Sequence, residues 1–395
     1  MFWTDLSASR IPALVAQSYA RALWPKEQLF CLALVELEES FDHLRVAQVL
    51  EAALRAEDTA LWKDPRCLLL LLEGYRYSSD SLRLARRLQR ELPVARIGIA
   101  GGTEYGSGLE MLDAAQQALD SAGPDRQIRY ANAELRREAE YRLKFEDELT
   151  QAVHSGDLTP YYQPIIDLPT GYIRGFEALV RWQHPTAGLL LPDSFLGVAR
   201  ELELLAELDR FILEEALQQL QIWAGSATRP LRVNVNLSPH HFLTEGAVEE
   251  LIAILDRYRD VVKMLRVDIS EEVLRHERGL ASLYALQGLK VGFHLDDFGV
   301  SFESFRCLTA FPFDSLKVDR TLIAEMEEEV NAELIIAVLR IAQRMKIRTT
   351  AEGLVTHAQL EELRQLGCDE AQGFLFSPAI SATAATDFLK VGPRW

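Results

Sequence analysis

The feature that most constrains this chain is the alternation of short apolar segments with amphipathic helical segments along its C-terminal two-thirds. Strand-like runs such as IRGFEALVRW, LRVNVNL and KVGFHLDDF alternate with helix-like runs such as FILEEALQQLQIWAG and AELIIAVLRIAQRM. Repeated β-then-α units of this kind are typical of a parallel barrel. A doubly wound sheet is less favoured because no glycine-rich phosphate loop follows the first strand. The sequence therefore predicts an α/β fold dominated by a (β/α)8 barrel of the TIM type.

A second, smaller α/β unit precedes the predicted barrel. Between Leu29 and about Tyr130 the strand-like runs LFCLALVEL, CLLLLLEG and ARIGIA alternate with helix-like runs. The stretch NAELRREAEYRLKFEDELTQAVHSG follows; it is charged on most faces and ends at the C-cap-like Gly156. We therefore predict a small domain over residues 1–130, a connecting helix over residues 131–155 and the barrel over residues 156–395.

The charge balance limits the partners of the chain. Asp and Glu number 59 and Lys and Arg number 42, which gives a formal net charge of −17. Neutralising the phosphates of duplex nucleic acid or of an anionic membrane surface needs an excess of basic residues, so both are disfavoured as partners. A phosphate-bearing ligand must instead be met locally, by metal or by a few basic side chains.

Cysteine spacing and the longest apolar run predict a cytoplasmic chain without a membrane anchor. The cysteines follow no paired spacing, which favours neither a disulfide framework nor a zinc site: Cys31, Cys67, Cys307 and Cys368. The N-terminal MFWTDLSASR lacks the basic-then-apolar pattern of a signal peptide. The longest apolar run, residues 67–72, is far shorter than a membrane span requires.

Polar residues stand where several predicted strands end and the following loops begin. In a barrel, catalytic residues come from the C-terminal ends of different strands. The residues at these positions are Glu177, Asn236, Asp268, Asp296, Asp297, Lys317, Glu352 and Gln372. A single Asp or Glu at such a position serves equally well as a helix cap. As a set, however, carboxylates that converge on one mouth repel one another unless a cation neutralises them, so the set predicts a divalent metal.

The expected metal is Mg²⁺ or Mn²⁺, because hard ions prefer oxygen ligands. Zinc is disfavoured: we expect His294, two residues before Asp296, on the opposite face of its strand and His184 in a loop, each with a core or surface role. Divalent metal among carboxylates supports phosphodiester hydrolysis. Lys317, between two apolar residues of its strand, would orient the attacking water or offset charge on the phosphoryl group.

These residues stand in motifs that resemble the EAL-type cyclic di-GMP phosphodiesterase domain. FEALVRWQHPTAGLLLP, VNVNLS, DIS-E, LDDFG, SLKVDR, TAEG and GCDEAQG occur in that family's order and spacing over about residues 156–390. The resemblance implies a (β/α)8-type barrel that uses Mg²⁺ or Mn²⁺ to linearise cyclic di-GMP to pGpG. The metal ligands that it implies are Glu177, Asn236, Asp268, Asp296 and Glu352, with Asp297 close to the metals. It further implies that Lys317 assists the water, that Glu271 positions the loop after LDDFG, and that the dinucleotide contacts are Gln163, Arg181 and Gln372.

The chain departs from the family pattern at three places. Asp268 stands where the family usually has Glu, so the carboxylate is one methylene shorter. The loop after Asp297 reads DDFGVSFESF in place of DDFGTGYSSL, and Ser301 replaces a glycine that adopts backbone conformations closed to other residues. Val355 replaces the usual acidic residue three positions after Glu352. The implied ligands are thus nearly complete, while the residues that support them are altered.

The small domain resembles, more faintly, the GGDEF-type diguanylate cyclase domain. The segment DTALWKDPRCLLLLL stands at that family's signature strand turn, so that residues 64–68, DPRCL, replace GGDEF. The segment that carries the family's metal-binding Asp and nucleotide loop is shortened. The resemblance therefore implies a degenerate, ferredoxin-like domain without cyclase activity, which serves regulation or dimerisation or persists as a scaffold.

Three functions are compatible with these observations. The first is metal-dependent hydrolysis of cyclic di-GMP in bacterial second-messenger signalling. The second is a non-hydrolysing receptor, in which cyclic di-GMP or a protein partner acts through the two degenerate domains. Hydrolysis of another phosphodiester is least favoured, because Gln163, Arg181 and Gln372 match nucleotide-contacting positions.

The sequence leaves the assembly and the input signal open. The family tends to dimerise through the barrel, so the resemblance implies a homodimer, but the residues themselves do not decide the oligomeric state. No separate input domain is predicted before Leu29. We therefore expect a signal to arrive through a partner, the small domain or the ligand itself.

Overall fold

The computed structural model describes residues 11–22, 29–102, 105–123, 127–225, 231–298 and 308–395, without the side chains of Ala22 and Asp297. These residues form two compact units, and the division between the units falls between Glu148 and Leu149. Within the described ranges no helix is both long enough and apolar enough to cross a membrane.

The first unit is a five-stranded sheet with helices on both faces. The strand order is β2-β3-β1-β4-β5, in which β5 runs parallel to β4 and the other neighbours are antiparallel. The strands are β1 (Leu29–Leu37), β2 (Thr59–Asp64), β3 (Cys67–Tyr75), β4 (Val94–Gly101) and β5 (Ile128–Tyr130). The helices are α1 (Ile11–Ala22), α2 (His43–Ala53), α3 (Ser78–Glu91), α4 (Gly108–Asp120) and α5 (Ala133–Ser155).

The central strand β1 explains why this unit has two apolar cores. Its run LFCLALVEL is almost entirely buried, and alternate side chains of a strand point to opposite faces. Phe30 and Leu32 pack in a cluster with residues of α1 and α4, whereas Cys31 and Ala33 pack in a cluster with residues of α2, α3 and α5. A strand buried on both faces reads as a continuous apolar run, which is why it was predictable from the sequence.

Three elements of the first unit, α1, β2 and β5, are absent from the sequence prediction. The segment TALWKD of β2 has only one fully buried residue, so it carries little apolar signal. Its hairpin with β3 is closed by Asp64, whose Oδ1 accepts the backbone N–H groups of Arg66 and Cys67 at 2.9 Å each. Residues 65 and 66 thus form the turn of a β2–β3 hairpin, whereas the GGDEF-like class of the unit stays a prediction.

The second unit is a closed barrel. Its strand order is β6-β14-β13-β12-β11-β10-β9-β7-β8, and an additional pairing of β6 with β7 closes the ring. The strands are β6 (Leu158–Asp167), β7 (Tyr172–His184), β8 (Gly188–Leu190), β9 (Arg232–Asn236), β10 (Leu265–Ile269), β11 (Gly292–Phe298), β12 (Ser315–Val318), β13 (Arg348–Ala351) and β14 (Glu370–Ala371). The predicted (β/α)8 barrel is confirmed.

Helices surround the barrel, and their apolar side chains form a core with the apolar side chains of the strands. They are α6 (Leu196–Glu201), α7 (Leu205–Ala224), α8 (His240–Leu243), α9 (Ala247–Asp256), α10 (Glu271–Leu274), α11 (Glu277–Gln287), α12 (Arg320–Ala324), α13 (Glu329–Met345), α14 (His357–Leu366) and α15 (Ala382–Val391). Val233 and Val235 of β9 are buried in the same apolar cluster as Leu217 of α7. Because strand side chains alternate, the intervening Asn234 and Asn236 belong to the opposite, barrel-interior face.

Three strands differ from the sequence prediction, of which the short β8 was not predicted at all. The segment LTPYYQPIID forms β6, which was not predicted, and it runs antiparallel to both β7 and β14, so the barrel is not wholly parallel. The last strand was predicted over residues 368–376 but spans only Glu370–Ala371. Beyond it the chain turns against the loop after β13: Leu354 donates its N–H to Gln372 O at 3.1 Å and accepts from Leu375 N at 2.9 Å. Residues used in this turn cannot extend the ladder.

The end of the barrel at which the parallel strands begin holds a cluster of arginines around one carboxylate. Glu370 has a side chain 2% exposed, and its Oε1 lies 3.0 Å from Arg348 Nε, 3.5 Å from Arg232 and 3.8 Å from Arg174. Burial lowers the pKa of Arg232 to about 10, against the opposing charge of Glu370. These residues come from four strands, β7, β9, β13 and β14, so the carboxylate ties together one end of the barrel.

We predict that Glu370→Gln destabilises the barrel by about 3 kcal/mol, because it leaves partly buried guanidinium groups without their shared counter-charge. The measurement is urea unfolding of the full chain followed by tryptophan fluorescence. The matched control is Asp387→Asn, which removes one carboxylate from an exposed pair with Lys390 and is expected to leave the midpoint unchanged. Equal midpoints for the two variants would contradict a structural role for the arginine cluster.

Candidate active site

The mouth of the barrel brings the predicted polar residues together. In the parallel ladders Asn236 pairs with Asp268, and Glu177 pairs with Asn234. Asp296 lies near the end of β11, Lys317 lies within β12, and Glu352 and Gln372 directly follow β13 and β14. Because parallel strands end on one side of a barrel, residues far apart in sequence become neighbours.

Lys317 lies at the centre of this site. Its side chain is 1% exposed, and its Nζ meets four carboxylates from different strands or strand ends. The distances are 2.7 Å to Glu352, 2.9 Å to Asp268, 3.2 Å to Glu177 and 3.3 Å to Asp296. Lys317 is therefore an interior residue of the barrel. A buried ammonium needs such partners, since its desolvation is otherwise costly.

Glu177 and Gln372 connect the two sides of the mouth. Glu177 Oε1 accepts from Asn236 Nδ2 at 2.9 Å, and its Oε2 accepts from Gln372 Nε2 at 2.6 Å. The same Gln372 nitrogen lies 3.2 Å from Glu352 Oε1, while its own Oε1 is buried without a hydrogen-bond partner among the described residues. The amide oxygen of Gln372 is therefore an acceptor that is available to a ligand with a hydrogen-bond donor.

The electrostatics of the cluster show excess negative charge. Burial raises the pKa of Glu352 to about 8; the charge of Lys317 opposes this shift, and those of Glu177 and Asp296 add to it. Burial alone would lower the pKa of Lys317, but the surrounding carboxylates raise it well above its ordinary value. One ammonium against four carboxylates leaves a surplus that a proton or a further cation must offset.

Asp268 is the most buried of the four carboxylates. Its side chain is 0% exposed, compared with 5% for Glu177, 16% for Glu352 and 23% for Asp296. Its Oδ1 lies 3.2 Å from Asn234 Nδ2 and 3.2 Å from His294 Nδ1. Burial would raise the pKa of Asp268, but the charges of Lys317 and His294 and the hydrogen bonds that they donate lower it overall.

The prediction that His294 lies on the opposite strand face is wrong. His294 Nδ1 lies 2.8 Å from Asn234 Nδ2, so the ring is inside the barrel, on the same side as Asp296. The physical reason is the period of a strand, in which residues two apart share a face. The same rule applied to Asn236 identifies Asn234, which the sequence analysis missed. Of the two roles expected for His184, core or surface, the structure shows the core role. The residue ends β7 and does not stand in a loop, and its Nδ1 lies 3.2 Å from the backbone N of Thr186 and of Ala187.

The remaining predicted site residues lie around this centre. Gln163 pairs with Glu177 across the β6–β7 ladder and donates to Ser377 O at 3.2 Å. Arg181 lies further along β7. Its Nη1 donates to Val180 O at 2.8 Å, and burial lowers the pKa of its guanidinium group. Glu271 begins α10 and lies 3.6 Å from Arg275.

Part of the predicted site lies outside the described residues. This applies to the altered loop at 300–305, to Cys307 and to the side chain of Asp297, whose backbone belongs to β11. The role predicted for Glu271, positioning that loop, therefore stays a prediction.

The donors at the mouth fit a hard divalent metal in chemical type. Glu177, Asp296 and Glu352 offer carboxylate oxygens, and Asn236 is an exposed amide beside Glu177. Among the described side chains, no three of His, Cys, Asp and Glu stand ready to hold a metal ion. The carboxylate oxygens at the mouth converge on the Lys317 ammonium instead, so coordination requires that they turn from it.

Comparison with known proteins gives the same picture of the barrel. Residues 146–379 match the EAL domain family. The chain is 34% identical over 255 residues to the cyclic di-GMP phosphodiesterase NbdA of Pseudomonas aeruginosa, covering 64% of this chain and 33% of NbdA. It is 29% identical over 361 residues to the bifunctional diguanylate cyclase/cyclic di-GMP phosphodiesterase MucR of the same organism, covering 86% of this chain and 52% of MucR.

A solved structure supports the fold assignment. The PaMucR phosphodiesterase in its c-di-GMP complex aligns with a TM-score of 0.59 at 31% identity, covering 61% of this chain and 99% of that one. The chain thus spans only about a third to a half of the curated relatives but the whole of a solved barrel. The match over more than half of its length, on a barrel with this mouth, shows that the chain belongs to the EAL domain family.

Proposed function

We propose that the barrel hydrolyses cyclic di-GMP to pGpG in a reaction that depends on Mg²⁺ or Mn²⁺. The observation that carries the proposal is the convergence of four carboxylates within 3.3 Å of one buried ammonium at the mouth of an EAL barrel. The names of the relatives NbdA and MucR, both cyclic di-GMP phosphodiesterases, support the choice of substrate. The negative net charge of −17 makes a small dianionic ligand held by metal more plausible than duplex nucleic acid.

Four side chains at the mouth would hold the metal: Glu177, Asn236, Asp296 and Glu352. When bound, Mg²⁺ or Mn²⁺ polarises a phosphoryl oxygen and activates water for attack on phosphorus. Gln372, bonded to both Glu177 and Glu352, holds these two carboxylates on one side of the mouth.

Lys317 supplies the fixed positive charge of the proposed reaction. Its ammonium is buried and protonated, so it can donate hydrogen bonds to the attacking water and to a charged phosphoryl oxygen, but cannot act as a base. Asp297 is expected to assist close to the metals. The dinucleotide would contact Gln163, Arg181 and Gln372, of which Arg181 brings the guanidinium suited to a phosphate.

The first unit is proposed to regulate or dimerise rather than to synthesise cyclic di-GMP. Residues 64–68 form a plain hairpin turn in which the Asp64 carboxylate is occupied by two backbone N–H groups. A side chain used in this way does not present a free carboxylate to a nucleotide. A protein partner and a homodimer remain proposals for the chain, which we expect to act in the cytoplasm.

The alternative proposal is a receptor that binds cyclic di-GMP without cutting it. Specific features favour it: Asp268 is withdrawn into the bore, the 300–305 loop departs from the family pattern, and Val355 replaces an acidic residue. Substrate-contacting residues are retained in both proposals, so binding alone does not separate them.

We predict that the purified full chain converts cyclic di-GMP to pGpG with Mg²⁺ or Mn²⁺, and that Glu177→Gln lowers the rate by about 100-fold or more, because it removes a ligand charge and a Lys317 partner. Nucleotide products are separated by chromatography over hours. Glu361→Gln, which changes an exposed carboxylate on α14, is the control and should retain the full rate. Absence of pGpG with either metal in the unmodified protein would refute hydrolysis.

We further predict that the altered loop limits turnover rather than binding. Restoring the family residues by Val300→Thr, Ser301→Gly, Phe302→Tyr and Glu303→Ser should raise kcat while the affinity for cyclic di-GMP, measured calorimetrically in EDTA, stays unchanged. Tight binding in EDTA with no turnover before or after the repair would establish the receptor. No binding under any condition would leave only a protein-interaction role.

A further inference from the structure

Asp268 connects the mouth to the polar side chains beneath it. In the parallel ladders it pairs with Asn236, which is at the mouth, and with His294, which lies two residues before Asp296 on β11. Its carboxylate contacts Asn234 and His294. Asn234, Asp268 and His294 are each at most 2% exposed, so this group of three is closed to solvent.

The contacts of Asp268 use most of its accepting capacity. Oδ1 lies 3.2 Å from both Asn234 Nδ2 and His294 Nδ1, and Oδ2 lies 2.9 Å from Lys317 Nζ and 3.5 Å from Asn234 Nδ2. An ionised carboxylate offers about four lone-pair positions. Asn234 and His294 therefore hold the Asp268 carboxylate within the barrel. Its single charged contact at the mouth is the Lys317 ammonium.

The length of the side chain agrees with this placement. The side chain of Asp is one methylene shorter than that of Glu, so the carboxylate at position 268 stays close to its own strand. His294 and Asn234 occupy the space beside it, so the carboxylate cannot advance without losing both contacts. By contrast, Asp296 and Glu352 retain exposed side-chain surface of 23% and 16% at the mouth, and the buried Glu177 has its hydrogen bonds with the mouth residues Asn236 and Gln372.

We propose that Asp268 is the anchor of Lys317 rather than a further metal ligand, and that Asn234 and His294 fix it in this role. The inference rests on the proposed function, since it concerns which side chains hold the metal. The metal set is then Glu177, Asn236, Asp296 and Glu352. Asp268 becomes a positioning residue, which sets where the ammonium stands before substrate arrives.

A double-mutant cycle with Lys317→Met tests the proposal on the full chain. An anchor acts only through the lysine, so in the Lys317→Met background Asp268→Asn should change the Mn²⁺ dissociation constant by less than about threefold, whereas Asp296→Asn, which removes a ligand, should weaken binding by about tenfold or more. His294→Leu in that background should behave like Asp268→Asn. The readout is calorimetric titration of Mn²⁺ without nucleotide. If Asp268→Asn weakens Mn²⁺ binding as much as Asp296→Asn does, the proposal is overturned.

A second measurement, without metal, separates this inference from the proposed function. Asp268→Asn alone should lower Tm, because it breaks a buried ion pair. In the Lys317→Met background it should instead raise Tm, because it removes a buried charge left without its partner. A decrease of Tm in both backgrounds would refute the anchor role even in a protein that binds Mn²⁺ and makes pGpG. The predicted reversal would support it even if hydrolysis fails.

Discussion

The contact between one buried ammonium and four carboxylates determines the rest of the second unit. Lys317 is 1% exposed, and its partners come from β7, β10, β11 and the end of β13. Removing these charges from water costs several kcal/mol per ion, which only close pairing can offset. The strands must therefore hold register closely enough to keep four oxygens within 3.3 Å of one nitrogen. The strand register that closes the barrel is therefore also the one that assembles the site.

The same requirement extends down the bore. A barrel of this type is ordinarily filled by bulky apolar side chains, yet here polar groups continue beneath the mouth. Asp268 contacts Asn234, and Asn234 contacts His294. In a second set of contacts, Ser315 Oγ lies 3.2 Å from Thr350 Oγ1, and Thr350 Oγ1 lies 3.4 Å from Glu370 Oε2. The second set of contacts ends at the arginines around Glu370. Polar groups in a closed interior need partners, and these two sets of contacts supply them for Asp268 and for Glu370.

Much of this arrangement could be predicted from the sequence, for identifiable reasons. The β-then-α alternation fixes the barrel, and the rule that functional residues follow parallel strands brings Glu177, Lys317 and Glu352 together before any coordinates are known. The failures are equally specific. His294 was assigned to the wrong face although residues two apart in a strand share a side. The segment of β6 mixes Pro and Tyr with apolar residues and lacks a strict alternation, so its period is weak. The end of β14 depends on a tertiary contact with Leu354, which no local pattern records.

Charge balance bears on which of the two proposed functions the mouth can serve. With Lys317 as the one ammonium among four carboxylates, the cluster carries a surplus of negative charge; burial raises the pKa of Glu352 to about 8, and the charges of Glu177 and Asp296 add to that shift. Cyclic di-GMP brings two further negative charges. Arg181 offsets one of them at most, and it lies on β7 beyond Glu177. Close approach of a phosphate to these carboxylates is therefore unfavourable until divalent cations neutralise them. The metal that hydrolysis requires is thus also the condition for seating the phosphate deep in the mouth, and a metal-free receptor must hold its ligand further out, near Arg181.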